Sequence, residues 1–284
     1  MKIAVLTDNA AIIPQSKQKL NIKVLPLPLM IEGKTYYENN YEDRIHLELR
    51  LQKSKTLLTS GQVSLTTIHQ VMDELRAEGY TDVICVHVDN SISGLGNNLQ
   101  SFSLGEHQIK LHLFDSHSFG VAEGQLAQVA ARLAQKNSSI EQILLDLKKL
   151  RTQLHTIVIL KNLKHISKTG YVKNGVSPVK KTLFKPKTLM KFTSQGQLEV
   201  CNTYSRYSRL FREIRRRIMP AYQEQTGQLV ISIMAVRTQR NDKIILHLTS
   251  GLRRIFPVAK VRIYELPYSI IAQTGTDSFV ISWG

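Results

Sequence analysis

Two short polar stretches carry the residue types that could hold an anion. The first, Asp89-Asn90-Ser91-Ile92-Ser93-Gly94, ends the apolar, β-branched run Val83 to Val88, and the second, Thr59-Ser60-Gly61-Gln62-Val63-Ser64, follows Leu57 and Leu58. Ser60, Ser91 and Ser93 offer hydroxyl donors, Gly94 lets a ligand approach the backbone, and a helix opening after each loop has first N–H groups without internal partners. Taken alone, the stretch is explained more simply by turn and N-cap duty for Asn90 and Ser91, so this chemistry needs support from elsewhere. Ser64 is placed as an N-cap, with Ile68, Val71, Met72 and Leu75 following at helical spacing.

Motifs of covalent and cofactor chemistry are missing. The chain has no Gly-x-Gly-x-x-Gly, Walker loop, His-Glu-x-x-His or Gly-x-Ser-x-Gly. Of nine scattered histidines, only His117, beside Asp115 and Ser116, is crowded, and it reads as a loop residue. Ser93 as a nucleophile would lack a positioned base and orienting acid. Cys85 and Cys201 stand far apart without metal-ligand spacing, which predicts reduced, ordinary residues, Cys85 in the core. The expectation is a protein that binds without catalysing and uses neither metal nor cofactor.

The elements that must position the loops change character near residue 155. Before it, candidate strands at Lys2 to Thr7, Ile22 to Pro26, Val83 to Val88 and Ile109 to Phe114 alternate with helices around Ile45 to Lys53, after Ser64, after Gly94, at Ala122 to Leu133 and at Ser139 to Leu150. This order predicts a parallel-sheet α/β domain over 1–155, with ligands where strand C-termini meet helix N-termini. Over 156–284 the pattern predicts an α+β domain with a mostly antiparallel sheet. Its strands are Thr156 to Leu160, a hairpin of Leu189 to Phe192 and Leu198 to Thr203, then Leu229 to Ala235, Val258 to Leu266, Ser269 to Gln273 and Phe279 to Ser282. Leu163 to Ser167 reads as a helical turn, Lys173 to Lys187 as a lysine-rich loop, and Lys243 to Phe256 as a helix. Another helix, with Leu210, Phe211, Ile214 and Ile218 on one face and arginines from Arg206 to Arg217 on the rest, is expected to stop at Pro220.

The charge divides with the domains. Residues 1–150 hold 15 Lys+Arg against 16 Asp+Glu, whereas 151–284 hold 23 against 6, so nearly all of the net charge of +16 lies in the second half. Such segregation points that half toward an anionic partner: nucleic acid, a membrane surface or an acidic protein. The first apolar run, Ile3 to Leu6, is too brief for a signal peptide, and no later run is of membrane-spanning length, which predicts a cytoplasmic protein.

Taken in order, Asp8, Ser60 to Ser64, Asn90 to Gly94, Asp115-Ser116 with Gly124, Leu163 to Gly170, Lys185-Pro186 with Gly196, and Thr274-Gly275 resemble the motifs of the bacterial DegV family, over nearly the whole chain. The family's members are fatty-acid-binding proteins that present lipids to a fatty acid kinase. The resemblance implies an acyl tunnel between two domains, with Ser60, Ser93 and Gly94 at the head group and Tyr171, Gln273 and Thr274 facing them from the second domain. It implies a fatty acid such as palmitate as ligand, and a kinase-like protein or anionic membrane as partner. This sequence departs from the family at Ser60 (commonly Thr), Gly61 (Ser), Leu95 (Thr), Tyr171 (Arg), and Gln273 to Asp277 (His-Thr-Gly-Pro-Gly). Losing Arg and His weakens capture of a carboxylate without removing it, since a hydrogen bond to a charged group contributes roughly 1.5–3 kcal/mol. The alternative is a basic interaction protein with a vestigial lipid site, binding anionic membrane or nucleic acid.

Overall fold

A computed structural model of the chain describes residues 2–13, 20–52, 58–103, 109–161, 186–224 and 227–284. The chain divides into two compact units, one of residues 1–153, 194–196 and 267–272, the other of 154–193, 197–266 and 273–284.

The first unit is built on an all-parallel sheet in the order β2 (Ile22–Leu25), β1 (Ile3–Asp8), β6 (Asp82–His87), β7 (Lys110–Asp115). All six residues of β6 are buried, as befits a central parallel strand covered on both faces. Around it lie α2 (Leu65–Ala77), α3 (Leu95–Ser103), α4 (Val121–Gln135) and α5 (Ile140–Gln153). The start of α4 lies against the loop after β1 because Gly124 has no side chain: a methyl group there would overlap the Ile12 carbonyl.

A second, three-stranded antiparallel sheet has the order β4 (Lys34–Tyr37), β3 (Pro28–Ile31), β5 (Thr59–Ser60) and corrects the sequence reading, which left residues 28–37 without strands. The β3–β4 turn places Glu32 and Gly33 at φ 50° and 77°, the left-handed pair of a type I′ hairpin. Glutamate where Asn or Asp is usual hides that turn. The next helix, α1 (Tyr41–Gln52), starts earlier than expected because Asn40 Oδ1 accepts the Asp43 amide at 3.1 Å.

The second unit holds a mixed sheet ordered β10 (Leu198–Tyr204), β9 (Lys187–Phe192), β8 (His155–Leu160), β13 (Phe279–Trp283), β11 (Val230–Ala235), β12 (Lys260–Glu265), antiparallel except between β11 and β12. Helices α6 (Tyr207–Gln223) and α7 (Gln239–Ile255) pack on it. Leu210, Phe211, Ile214 and Ile218 of α6 share one core with Ile245, Leu248 and Leu252 of α7 and with Ile157, Ile231 and Ile281 of the sheet.

Two expectations fail here. Residues 269–273 form α8 (Tyr268–Thr274) instead of a strand, because Pro267 opens a helical turn whose carbonyl accepts the Ile270 and Ile271 amides at 3.0 and 2.9 Å. With Ile270, Ile271 and Ala272 all buried, no alternation distinguished the two possibilities. Helix α6 also runs through Pro220 to Gln223. Pro220 is exposed, so solvent can serve the carbonyl one turn back that lacks its amide partner. The expected turn at Leu163 to Ser167 and most of the lysine-rich loop lie outside the described residues.

Candidate functional site

In the first unit the two serine loops meet at the C-terminal edge of the parallel sheet. Asp8, fully buried at the end of β1, ties this edge together: Oδ1 accepts the Ala10 amide and Oδ2 the Val88 amide, both at 2.8 Å. Asp89 then organises the following loop. Its carbonyl accepts from Ile92 and Ser93 at 3.0 and 3.2 Å, and its Oδ1 accepts the Ser91 amide at 2.7 Å. Ser93 Oγ accepts the Leu95 amide at 3.2 Å, capping α3.

These bonds refine the anion-site expectation. The amides of Ser91, Ile92, Ser93 and Leu95 serve the loop itself, so beside the first-turn amides of α3 the donors this loop offers a ligand are its hydroxyls. Ser93 has spent acceptor capacity and keeps its O–H to donate, while Ser91 Oγ is buried with no hydrogen-bond partner among the described residues. The sequence reading names Ser93 with Ser60 at the head group, and the structure adds Ser91 as a second candidate on the same loop.

The loop after β5 lies alongside. Gly94 is half-buried, and a methyl group there would stand 2.7 Å from Gln62 Nε2, so the nearest occupant of that space is a side chain of the other loop. Asn98 Nδ2 bridges the two, donating to the Val63 carbonyl at 3.0 Å and to Gln62 Oε1 at 3.5 Å. Sequence reasoning carried Gln62 only as part of the Ser60 to Ser64 motif, without a role, and missed Asn98, which no motif marks. Ser60 sits in β5 paired with Leu29, and Ser64 caps α2 as expected, accepting the Thr67 amide at 3.0 Å.

Acids dominate the same edge. Glu123 is fully buried against Asp8, accepts from Thr7 Oγ1 at 3.2 Å, and has its carboxyl held well above the usual range by burial and by the Asp8 charge. Burial raises Asp8 too, and pushes the Cys85 thiol up. Burial, reinforced by Asp115, carries Asp89 up to about 7. Asp115 accepts the Asn90 and His117 amides at 3.2 and 2.9 Å, and Arg151 donates to its carbonyl at 2.7 Å. Gly196, at φ 79°, lies against these side chains: a methyl group would overlap Asp89 Oδ2 and stand 2.8 Å from His117 Cδ2. Among the described residues no group of three or more His, Cys, Asp or Glu could hold a metal ion.

The second unit places Gln273 and Thr274 at the end of α8. Thr274 is buried, its hydroxyl 2.8 Å from Ser278 Oγ, which donates to the Gly275 carbonyl at 2.7 Å; Gly275 takes φ 83°. Beside this turn Lys161 pairs with Asp277 at 3.1 Å, its side chain only 8% exposed. Burial lowers the Lys161 amine, opposed by Asp277, with Arg240 and Lys187 adding positive charge. Tyr207, whose buried hydroxyl has no partner among the described residues, lies under Lys187 Nζ at 4.5 Å from its ring centre. Tyr171 lies outside the described residues.

The described residues form an α/β chain of two units, one on a four-stranded parallel sheet that carries the hydroxyl loops and one on a six-stranded mixed sheet. The chain belongs to the DegV family, whose model, described as an uncharacterised protein family, matches residues 2–284. It is 27% identical over 195 residues to the DegV domain-containing protein lin2658 of Listeria innocua, covering 68% of this chain and 69% of that one. Its fold matches the fatty acid binding DegV family protein SAG1342 of Streptococcus agalactiae, with TM-score 0.85 and 21% identity over 100% of this chain and 98% of that one. It also matches the Streptococcus pneumoniae fatty acid kinase (Fak) B3 protein loaded with linoleic acid, with TM-score 0.77 and 17% identity over 100% and 99% of the two chains.

Proposed function

We propose that this chain binds one long-chain fatty acid and carries it without catalysing a reaction. The observation that carries the reading is the loop from Asp89 to Leu95. The Ser91, Ile92, Ser93 and Leu95 amides are engaged within it, whereas Ser91 offers a buried hydroxyl with no hydrogen-bond partner among the described residues and Ser93 an O–H, donors of the kind a carboxylate or carboxylic acid needs. Membership of the DegV family, and a fold shared with proteins described as fatty acid binding or loaded with linoleic acid, support the choice of ligand.

In this reading Ser91 and Ser93 bind the head group, and Ser60, Gly94, Tyr171, Gln273 and Thr274 are the further candidate ligand residues. No metal or organic cofactor is required. The partner is a fatty-acid-kinase-like protein, recruited through the basic second unit in the cytoplasm. Among the described residues no helix is long and apolar enough to cross a membrane, and α6 buries its apolar face in its own core, so contact with a bilayer would be electrostatic only.

The test is titration of delipidated protein with a labelled fatty acid. Ser91→Ala and Ser93→Ala are each expected to weaken binding, by about tenfold for a lost hydrogen bond to a charged group. Unchanged affinity in the double variant would remove these loops from the site.

A further inference from the structure

The basic second unit carries a feature that lipid carriage does not use. A cavity of about 300 Å³ opens between α6 and α7, lined by Phe211 and Arg215 from one helix and His247, Leu248, Ser250 and Arg254 from the other. A broader hollow adjoins it along Arg212, Arg215 and Arg216, so Arg215 lies between the two. No carboxylate lines either. The one acid of α6, Glu213, is occupied by Arg216 and Arg217 at 2.6 and 2.8 Å. Asp242, Glu199 and Asp277 are paired elsewhere, with Arg237, Lys191 and Lys161. Arg212, Arg215 and Arg254 thus have no ion-pair partner among the described residues.

We propose that this depression is a binding site for a phosphate group, centred on Arg215 with Arg212 and Arg254 flanking it. The Arg215 Nε donates to the Phe211 carbonyl at 3.1 Å, so its own helix orients the guanidinium and leaves the terminal nitrogens to a ligand. Phe211 and His247 stack at 5.4 Å and form a fixed floor. A guanidinium fork matches two oxygens of a phosphate. Three unpaired cations from two helices suit a phosphomonoester dianion with three terminal oxygens better than a carboxylate monoanion. The cavity is at the small end of ligand pockets, which run about 300–1,000 Å³. It therefore takes a phosphate with a small organic remainder, either a soluble phosphomonoester or the head group of phosphatidic acid.

The test measures binding of inorganic phosphate and glycerol phosphate by calorimetry at fixed ionic strength, and co-sedimentation with phosphatidylcholine vesicles with and without phosphatidic acid. Arg215→Gln and Arg254→Gln are each expected to weaken phosphate binding about tenfold, or about 1.4 kcal/mol, while Arg206→Gln and Arg253→Gln change it less than about twofold. Saturable binding of the soluble phosphates in this pattern supports the site with a soluble ligand; binding only to phosphatidic acid vesicles in the same pattern supports it with a lipid head group. Absence of both, or a loss that depends on how many arginines are removed and not on which, overturns it. Fatty-acid affinity is expected to be unchanged in Arg215→Gln, which separates this result from the fate of the lipid site.

Discussion

Asp89 gives the most quantitative handle on the sheet edge. Its carboxyl is 1% exposed, accepts the Ser91 amide, faces the Asp115 charge, and is raised from 3.8 to about 7. A folded-state value above the unfolded one means that the fold holds this proton more tightly than the unfolded chain does. Stability is therefore greatest at low pH and falls as pH rises from the unfolded value through the folded one. Between pH 5 and pH 7 the slope falls from about 1.4 kcal/mol per pH unit to about half of that as the folded value is reached, which amounts to about 2 kcal/mol. At about 2–4 °C per kcal/mol for a chain of this size, the midpoint should drop by about 4–8 °C. Asp89→Asn keeps an acceptor for the Ser91 amide and cannot ionise, so this contribution should vanish from the variant. Burial and Arg151 lower His117, whose effect is of opposite sign and is present in both proteins, so it cancels in the difference. The assay is thermal unfolding of wild type and Asp89→Asn from pH 5 to pH 8. Parallel profiles would refute the reasoning, because they would mean that Asp89 is already ionised in the fold with Arg151 holding its charge.

Two further outcomes follow from the geometry. Gly124→Ala should lower stability by at least about 2 kcal/mol in denaturant unfolding, because the added methyl meets the Ile12 backbone, which cannot rotate away. A fatty acid and the alcohol of equal chain length should compete within about tenfold of each other, since Tyr171 and Gln273 bring no cation and Lys161 is already paired with Asp277; a larger acid preference, abolished by Lys161→Gln, would assign the head-group charge to that lysine.

Periodicity read well wherever burial is one-sided or complete. The apolar run ending at His87, the alternating hairpin around Gly196 and the arginine-backed face of α6 each imposed their element on the sequence. The parallel sheet and the mostly antiparallel one emerged from these patterns. The misses have local causes. Glu32-Gly33 forms a type I′ turn with an uncommon first residue, and the uniformly buried Ile270 to Ala272 carry no period at all. At the site, residue type nominated Ser60, Ser91 and Ser93, but which hydroxyl remains available depends on the bonds that Asp89 and the first turn of α3 make. Gln62 and Asn98 act only through the meeting of two loops 30 residues apart in sequence, a tertiary event that no spacing rule announces.

Native mass spectrometry of the purified chain tests lipid carriage most directly. The wild type is expected to appear with one long-chain fatty acid per chain, and the Ser91→Ala, Ser93→Ala double variant to appear largely without it. A wild type that emerges lipid-free and takes up no fatty acid when loaded would contradict the proposed function.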